Sequence, residues 1–268
     1  MQHESEVNQA RNSPPMTVSL GQSSTPPDTR IYAIGDVHGY LNLLENIYSA
    51  INKDLLHKPV DSYKIVFLGD YIDRGPDSAG CVEYLINLIA ENKNVICLKG
   101  NHEHKLENFL IDPIAIADSF FTYGGADCAT SYGIEMTGYQ GREDETLTKC
   151  AELTANIPAH HKAFYADLEK NVSFGDYMFA HAGVRPGTAL NQQTDHDLMC
   201  IRSEFIAHTR PYDKVIVHGH TPAYPMEILP NRINVDTHAY YTGVLSCLVL
   251  EGTDYRTIEA REKADSIR

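Results

Sequence analysis

Three short apolar runs constrain this chain more than any other feature. IYAIGD (31–36), KIVFLGD (64–70) and NVICLKGN (94–101) are rich in β-branched residues, and each closes on glycine followed by a polar side chain. Between them, YLNLLENIYSAINK (40–53) and DSAGCVEYLINLIAEN (77–92) carry apolar residues at helical spacing. Strand, helix, strand, helix, strand implies parallel pairing through right-handed crossovers. Runs this apolar belong to strands covered on both faces. Asp36, Asp70 and Asn101 are separated by about one βαβ unit, roughly 30 residues, so three neighbouring strand ends meet. In open α/β sheets, ligands gather at that carboxyl edge.

Four more strand candidates follow: YMFAHAG (177–183), KVIVHGH (214–220), RINVDT (232–237) and VLSCLVLEG (244–252). Residues 103–170 read as a mainly helical insertion, interrupted by TYGGADCATSYG (122–133). A length of 268 residues suits one sizeable domain, expected over 30–268. Residues 1–29, rich in Ser, Thr, Pro, Gln and Asn, offer little to bury and are expected to form a disordered tail.

The formal net charge is −14, which repels nucleic-acid backbones and anionic membranes, so neither is an expected partner. A bound cation can still reverse the local field and admit an anionic substrate. Six cysteines lie scattered without a C-x-x-C pair, and no apolar stretch reaches membrane-spanning length or forms a signal-peptide core. A reduced, cytoplasmic protein is the expectation, and the sequence is silent on oligomeric state.

The polar residues at the strand ends form a list that chemistry can use: Asp36 and His38 in GDVHG, Asp70, Asp73 and Arg74 in GDYIDRG, Asn101 and His102 in GNHE, His181 in AHAG, His220 in VHGHT. Each fragment alone could be a turn, a helix cap or a core histidine. Five strand ends that each deliver a metal-competent side chain beside glycine are not needed merely to turn the chain.

Together, GDVHG, GDYIDRG, GNHE, HAG and GHTP resemble the calcineurin-like metallophosphoesterases, and within them the phosphoprotein phosphatase family. YGGADCATSYG, FAHAGVRPG, LMCIRSEF and VHGHTP resemble its bacterial diadenosine tetraphosphatase-like, or serine/threonine phosphatase-like, branch. The resemblance spans about residues 31–250 and implies an α/β fold, a β-sandwich flanked by helices with metals at its edge.

On that resemblance, Asp36 and His38 hold one divalent cation, Asp70 bridges to a second, and Asn101, His181 and His220 are direct ligands of that second metal. Mixed N/O ligation without thiolate suits manganese first, with iron or zinc as alternatives. Two such cations, offset by two aspartates and a bridging hydroxide, leave about one positive charge for a phosphate, and the pair activates water as the nucleophile. His102 is implied as general acid, with Asp73 orienting it and raising its pKa. Arg74 and Arg202 clamp phosphate oxygens, joined by Asn101. Cys200 stands where the branch usually has an aromatic residue, and His238 where it has glycine. His238 is read as facing solvent rather than contacting substrate, and Tyr240 and Tyr241 as buried tyrosines rather than a surface on which substrate stacks.

In KVIVHGHTPAY (214–224), His220 takes the ligand position and His218 supports the loop by hydrogen bonding. Pro222 stands where wider relatives carry the second histidine of G-H-x-H. The expected activity is phosphomonoester hydrolysis on phosphoproteins, at Ser/Thr with Tyr as a further acceptor. Arg74, Asp73 and His102 together match the protein-phosphatase pattern, and sparse basic residues argue against gripping a long polyphosphate. Hydrolysis of diadenosine tetraphosphate or another nucleotide is the alternative. A catalytically inactive phosphoprotein-binding scaffold is a third reading, which would require a lost ligand or a lost His–Asp pair.

Overall fold

Alternation along β1 (Thr29–Ile34) sets the layering of the molecule. Ile31 and Ala33 project to one side, where Val66, Leu68, Leu248 and Leu250 join them against Tyr177, Phe179, Val215, Val217, Ile233 and Val235. Tyr32 and Ile34 project to the other, among Leu43, Leu44, Ile47, Ile65, Phe67 and Leu85. A strand buried on both faces in this way must be covered on each side, here by a second sheet on one and by helices on the other. The computed structural model describes residues 17–262 and shows that arrangement.

One five-stranded sheet has the order β10–β9–β1–β2–β3. It contains β1, β2 (Ser62–Phe67), β3 (Val95–Cys97), β9 (Val244–Glu251) and β10 (Asp254–Arg261). β1 pairs parallel with β2 and β2 with β3, in register Ile31↔Lys64 and Val66↔Ile96. The other sheet has the order β4–β5–β6–β8–β7. Its strands are β4 (Asn171–Phe174), β5 (Tyr177–Ala180), β6 (Val215–His218), β7 (Glu227–Ile228) and β8 (Arg232–Asn234). The fold is the expected α/β sandwich flanked by helices.

The crossovers are α1 (Leu41–His57) and α2 (Ser78–Glu91). α1 buries Leu43, Leu44, Ile47 and Ile51, an i, i+1, i+4, i+8 stripe, and each such side chain contributes about 1.5–3 kcal/mol. Asp77 caps α2 by accepting from Gly80 N at 2.7 Å. Residues 101–167 carry α3 (Asn101–Ile111), α4 (Pro113–Thr122), α5 (Gly125–Ser131), α6 (Glu143–Asn156) and α7 (Ala159–Asp167). Three short helices complete the chain: α8 (Asp195–Cys200), α9 (Ser203–Ile206) and α10 (Ala239–Thr242). α8 and α9 cover the outer face of the second sheet through Leu198 and Phe205.

Several elements depart from the sequence expectation. TYGGADCATSYG forms α5, because only its flanking glycines break the helix. β4, β7 and β10 were not anticipated; β10 pairs along its whole length with β9, and its mostly exposed residues lack an apolar signature. Residues 1–16 of the expected disordered tail lie outside the described residues. Residues 17–29 are packed: Val18 N donates to Tyr212 O at 2.9 Å, and Ser24 N to Asp176 Oδ2 at 2.9 Å. Thr25 N donates to Gly252 O at 3.0 Å, so this segment bridges the two sheets. Its hydroxyls read as solvated in sequence, yet Ser23 Oγ donates to the buried Tyr177 OH at 2.9 Å.

Candidate metal centre

The ends of β1, β2 and β3 lie side by side, and the loops of β5 and β6 approach them from the second sheet. Gly69 shows how tightly: at φ +109°, a Cβ there would stand 2.6 Å from Gly100 N and 3.0 Å from His181 Nδ1. Only glycine tolerates that approach.

Asp70 is the hub. Its Oδ2 lies 3.3 Å from His181 Nε2 and 3.8 Å from both His38 Nε2 and His102 Nε2. Two triads of donor atoms result, His38–Asp70–His102 and Asp70–His181–His220, each with its atoms within 4.8 Å of one another. His38 Nδ1 donates to Ile72 O at 2.9 Å and His181 Nδ1 to Leu68 O at 3.0 Å. Both rings are thus anchored from behind and turn Nε2 inward. Asn101 Oδ1 is 2.9 Å from His181 Nε2.

Asp36 is not one of the triad donors. It lies beside them, accepting His220 N–H at 3.1 Å. Burial pushes its carboxyl well up, followed by the charges of Asp236 and Asp70. Asp70 is also pushed up by burial, but His181, His102 and His38 outweigh this and hold it well below the usual carboxylate range. Burial drives His38 well down and His220 down to about 2, leaving neutral imidazoles. His181 goes the other way, because Asp70 more than offsets its burial.

This donor set fits divalent cations. Asp36, Asp70 and Asp236 are 2%, 2% and 3% exposed, and among the described residues none forms an ion pair with Lys or Arg. Buried carboxylates without a cationic side chain, facing inward-turned imidazoles, are the chemistry that a metal satisfies.

His102 Nδ1 lies 2.5 Å from Asp73 Oδ2, while Asp73 Oδ1 has no hydrogen-bond partner. The expectation that Asp73 raises the imidazole pKa needs correction. Burial pushes His102 down to about 3 and Asp73 well up. The 2.5 Å contact itself fixes the orientation of the ring. Arg74 Nη2 donates to His102 Nε2 at 3.3 Å and its guanidinium sits 4.3 Å over the Tyr240 ring. Arg202 Nε donates to His220 Nε2 at 2.9 Å.

Beside the triads lies a cavity of about 800 Å³. Arg74, Lys105 and Arg202 line it, with Asn101, His102, His220 and Cys200. Cys200 leaves room at this wall where the resemblance implied an aromatic. Three cationic side chains thus line one cavity.

Three residues escaped the sequence reading. Glu103 is fully buried and accepts the N–H groups of Asp70 (2.9 Å), Tyr71 (2.7 Å) and Gly100 (2.9 Å), locking two strand ends together. Asp236 follows β8 in VDT, the same run-then-aspartate signal used at Asp36. Lys105 follows His102 by three residues, one helical turn along α3.

His218 stands apart from the triads: it is fully buried, 3.3 Å from Arg232 Nη1, with its ring edge-on to Phe205 at 4.8 Å. His238 is half-buried and packs edge-on to Tyr240 at 4.4 Å and against Tyr241 at 5.2 Å, so it does not simply face solvent. The reading of Tyr241 as buried fails, since it is 78% exposed. Tyr240 is half-buried.

Comparison with known proteins adds four findings. A profile of the calcineurin-like phosphoesterases matches residues 29–245. A bis(5'-nucleosyl)-tetraphosphatase PrpE (asymmetrical) of Anoxybacillus flavithermus is 28% identical over 236 residues, covering 80% of this chain and 88% of that protein. The crystal structure of a putative diadenosine tetraphosphatase superposes with a TM-score of 0.60 at 19% identity, covering 90% of this chain and 100% of that one. A cold-active protein tyrosine phosphatase superposes at 0.56 and 15% identity, covering 87% and 81%. At these identities the two structures speak for the fold.

Proposed function

The chain belongs to the calcineurin-like phosphoesterase family, and from that premise we propose that it hydrolyses diadenosine tetraphosphate or a closely related nucleoside polyphosphate. The observation that carries this reading is the cavity in which Arg74, Lys105 and Arg202 converge beside the metal-competent triads. Three cations in one pocket suit a multiply charged phosphate chain better than a single phosphoryl group on a protein surface. The relative named as a bis(5'-nucleosyl)-tetraphosphatase supports the same substrate class. We prefer it to the phosphoprotein expectation because the second argument for that expectation, the sparseness of basic residues, does not hold in this cavity.

In this proposal His38, Asp36 and Asp70 would hold one cation, and Asp70, Asn101, His181 and His220 would hold the other. Manganese is our assignment, on the N/O donor set without thiolate. Such a pair, when bound, supplies Lewis-acid polarisation of a phosphoryl oxygen and lowers the pKa of water. Arg74 and Arg202 grip non-bridging oxygens, and Lys105 takes the next phosphate along the chain. Arg74 then leaves His102 Nε2, and the anionic chain brought beside the imidazole raises its proton affinity. Water adds to phosphorus as the P–O bond to the departing phosphate breaks. The vacated Nε2 of His102 takes a proton from solvent and hands it to that oxygen, the proton lost by water leaves to solvent, and Asp73 keeps the ring in place.

The test is a substrate panel with Mn²⁺: diadenosine tetraphosphate beside phosphoSer, phosphoThr and phosphoTyr peptides. Off-centre cleavage yields AMP and ATP, central cleavage two ADP, and chromatography separates them. Higher kcat/KM on any peptide than on the dinucleotide overturns the proposal.

A further inference from the structure

A second group of donors converges far from the strand-end loops, where α2 packs against α7. Glu83 on α2 brings Oε2 to 2.7 Å from His160 Nε2 and 2.9 Å from His161 Nε2. The three donor atoms all lie within 4.8 Å of one another. Consecutive residues on a helix point about 100° apart, yet these two rings, 4.6 Å between centroids and nearly perpendicular, aim at the same carboxylate oxygen.

The cluster has a supported side and an open side. His161 is 3% exposed, and its Nδ1 lies 2.8 Å from Tyr132 OH, itself 2.8 Å from Tyr165 OH. Tyr132 OH can accept a hydrogen bond from Nδ1–H while donating one to Tyr165, which turns the Nε2 lone pair outward. A buried oxygen behind a histidine is how proteins orient metal-binding imidazoles. Glu83 and His160 are 49% and 53% exposed, so a cation has free access.

We propose that Glu83, His160 and His161 bind a zinc-class divalent cation, with water as the fourth ligand, at a site separate from the phosphoesterase centre. Ligands around tetrahedral zinc stand on the order of 3.3 Å apart, from metal–ligand bonds of about 2.0–2.2 Å. The observed 2.7 and 2.9 Å contacts reach that spacing by opening only slightly. Without a cation, two N–H groups must crowd one carboxylate oxygen, and one metal ion replaces both protons. Occupancy would staple α7, and the helices leading to it, onto α2.

The full chain, stripped with chelator, is titrated with ZnCl₂ by calorimetry and its metal content counted after gel filtration. The wild type is expected to retain one more equivalent than His160→Ala. Glu83→Gln, which keeps a hydrogen-bonding oxygen, is expected to weaken that equivalent by about tenfold or more. Both variants should hydrolyse the substrate panel like wild type, since neither residue touches the phosphoesterase site. Zinc should also raise the Tm of wild type beyond that of His160→Ala. Equal stoichiometry in wild type and His160→Ala overturns the proposal, as does zinc binding of unchanged affinity in Glu83→Gln.

Discussion

Seven described non-glycine residues have positive φ, and His38, Asp70, Asp73, Arg74 and His220 are five of them, with His238 beside them. Left-handed backbone costs a non-glycine residue about 1–3 kcal/mol, and it persists where the surrounding structure over-determines it. The strain is held by contacts such as Glu103 on the Asp70 and Tyr71 amides. At this scale the mechanism makes two predictions. His102→Asn should lower kcat by about 10²–10⁴-fold while metal content stays unchanged, measured by turnover and elemental analysis. Arg202→Ala should lower kcat/KM about 10–100-fold by removing a charged hydrogen bond to the phosphate chain. The ligand types were legible here because GDVHG, GDYIDRG and GNHE print them in order. Glu103 was quoted within GNHE and still passed over, since nothing local shows that its carboxylate reaches back 33 residues to the Asp70 amide.

Elements carry the site through their ends, and a buried polar anchor fixes how α1 sits on the first sheet. Asp54 on α1 accepts from Tyr32 OH at 2.6 Å and pairs with Arg30 at 3.3 Å and with Arg256. Burial pushes Asp54 up, but Tyr32, Arg256 and Arg30 outweigh it and hold its pKa below the usual value. A depressed folded-state pKa means stability that is present above the unfolded value, near 3.8, and lost as pH falls through the folded one. Asp54→Asn should therefore be destabilised at neutral pH and show a shallower loss below about pH 4 than wild type in denaturant titrations. β1, β2, α1 and α2 were legible because their apolar periods agree with their burial. β10 was not, because pairing with β9 satisfies its backbone without any core-facing run.

Across the whole molecule, the sandwich interface between β1, β2, β9 and β5, β6, β8 holds the metal-competent loops without help from the site. Chelation should abolish hydrolysis yet leave far-UV circular dichroism unchanged, with Tm lowered only by the lost binding energy. Truncating the chain through residue 27 should lower Tm, because Val18 and Ser24–Thr25 bridge the second sheet to the β9–β10 turn. Sequence alone determined the donors and their order along the chain, since parallel strands about 30 residues apart must end side by side. It also determined the α/β layering, through runs apolar on both faces. Only the tertiary structure decided that Arg74, Lys105 and Arg202 share one cavity in a chain of net charge −14. It alone put Glu83 against His160 and His161. Coulomb attraction and coordination depend on separation in space, and these residues are brought close only by how the helices and loops pack.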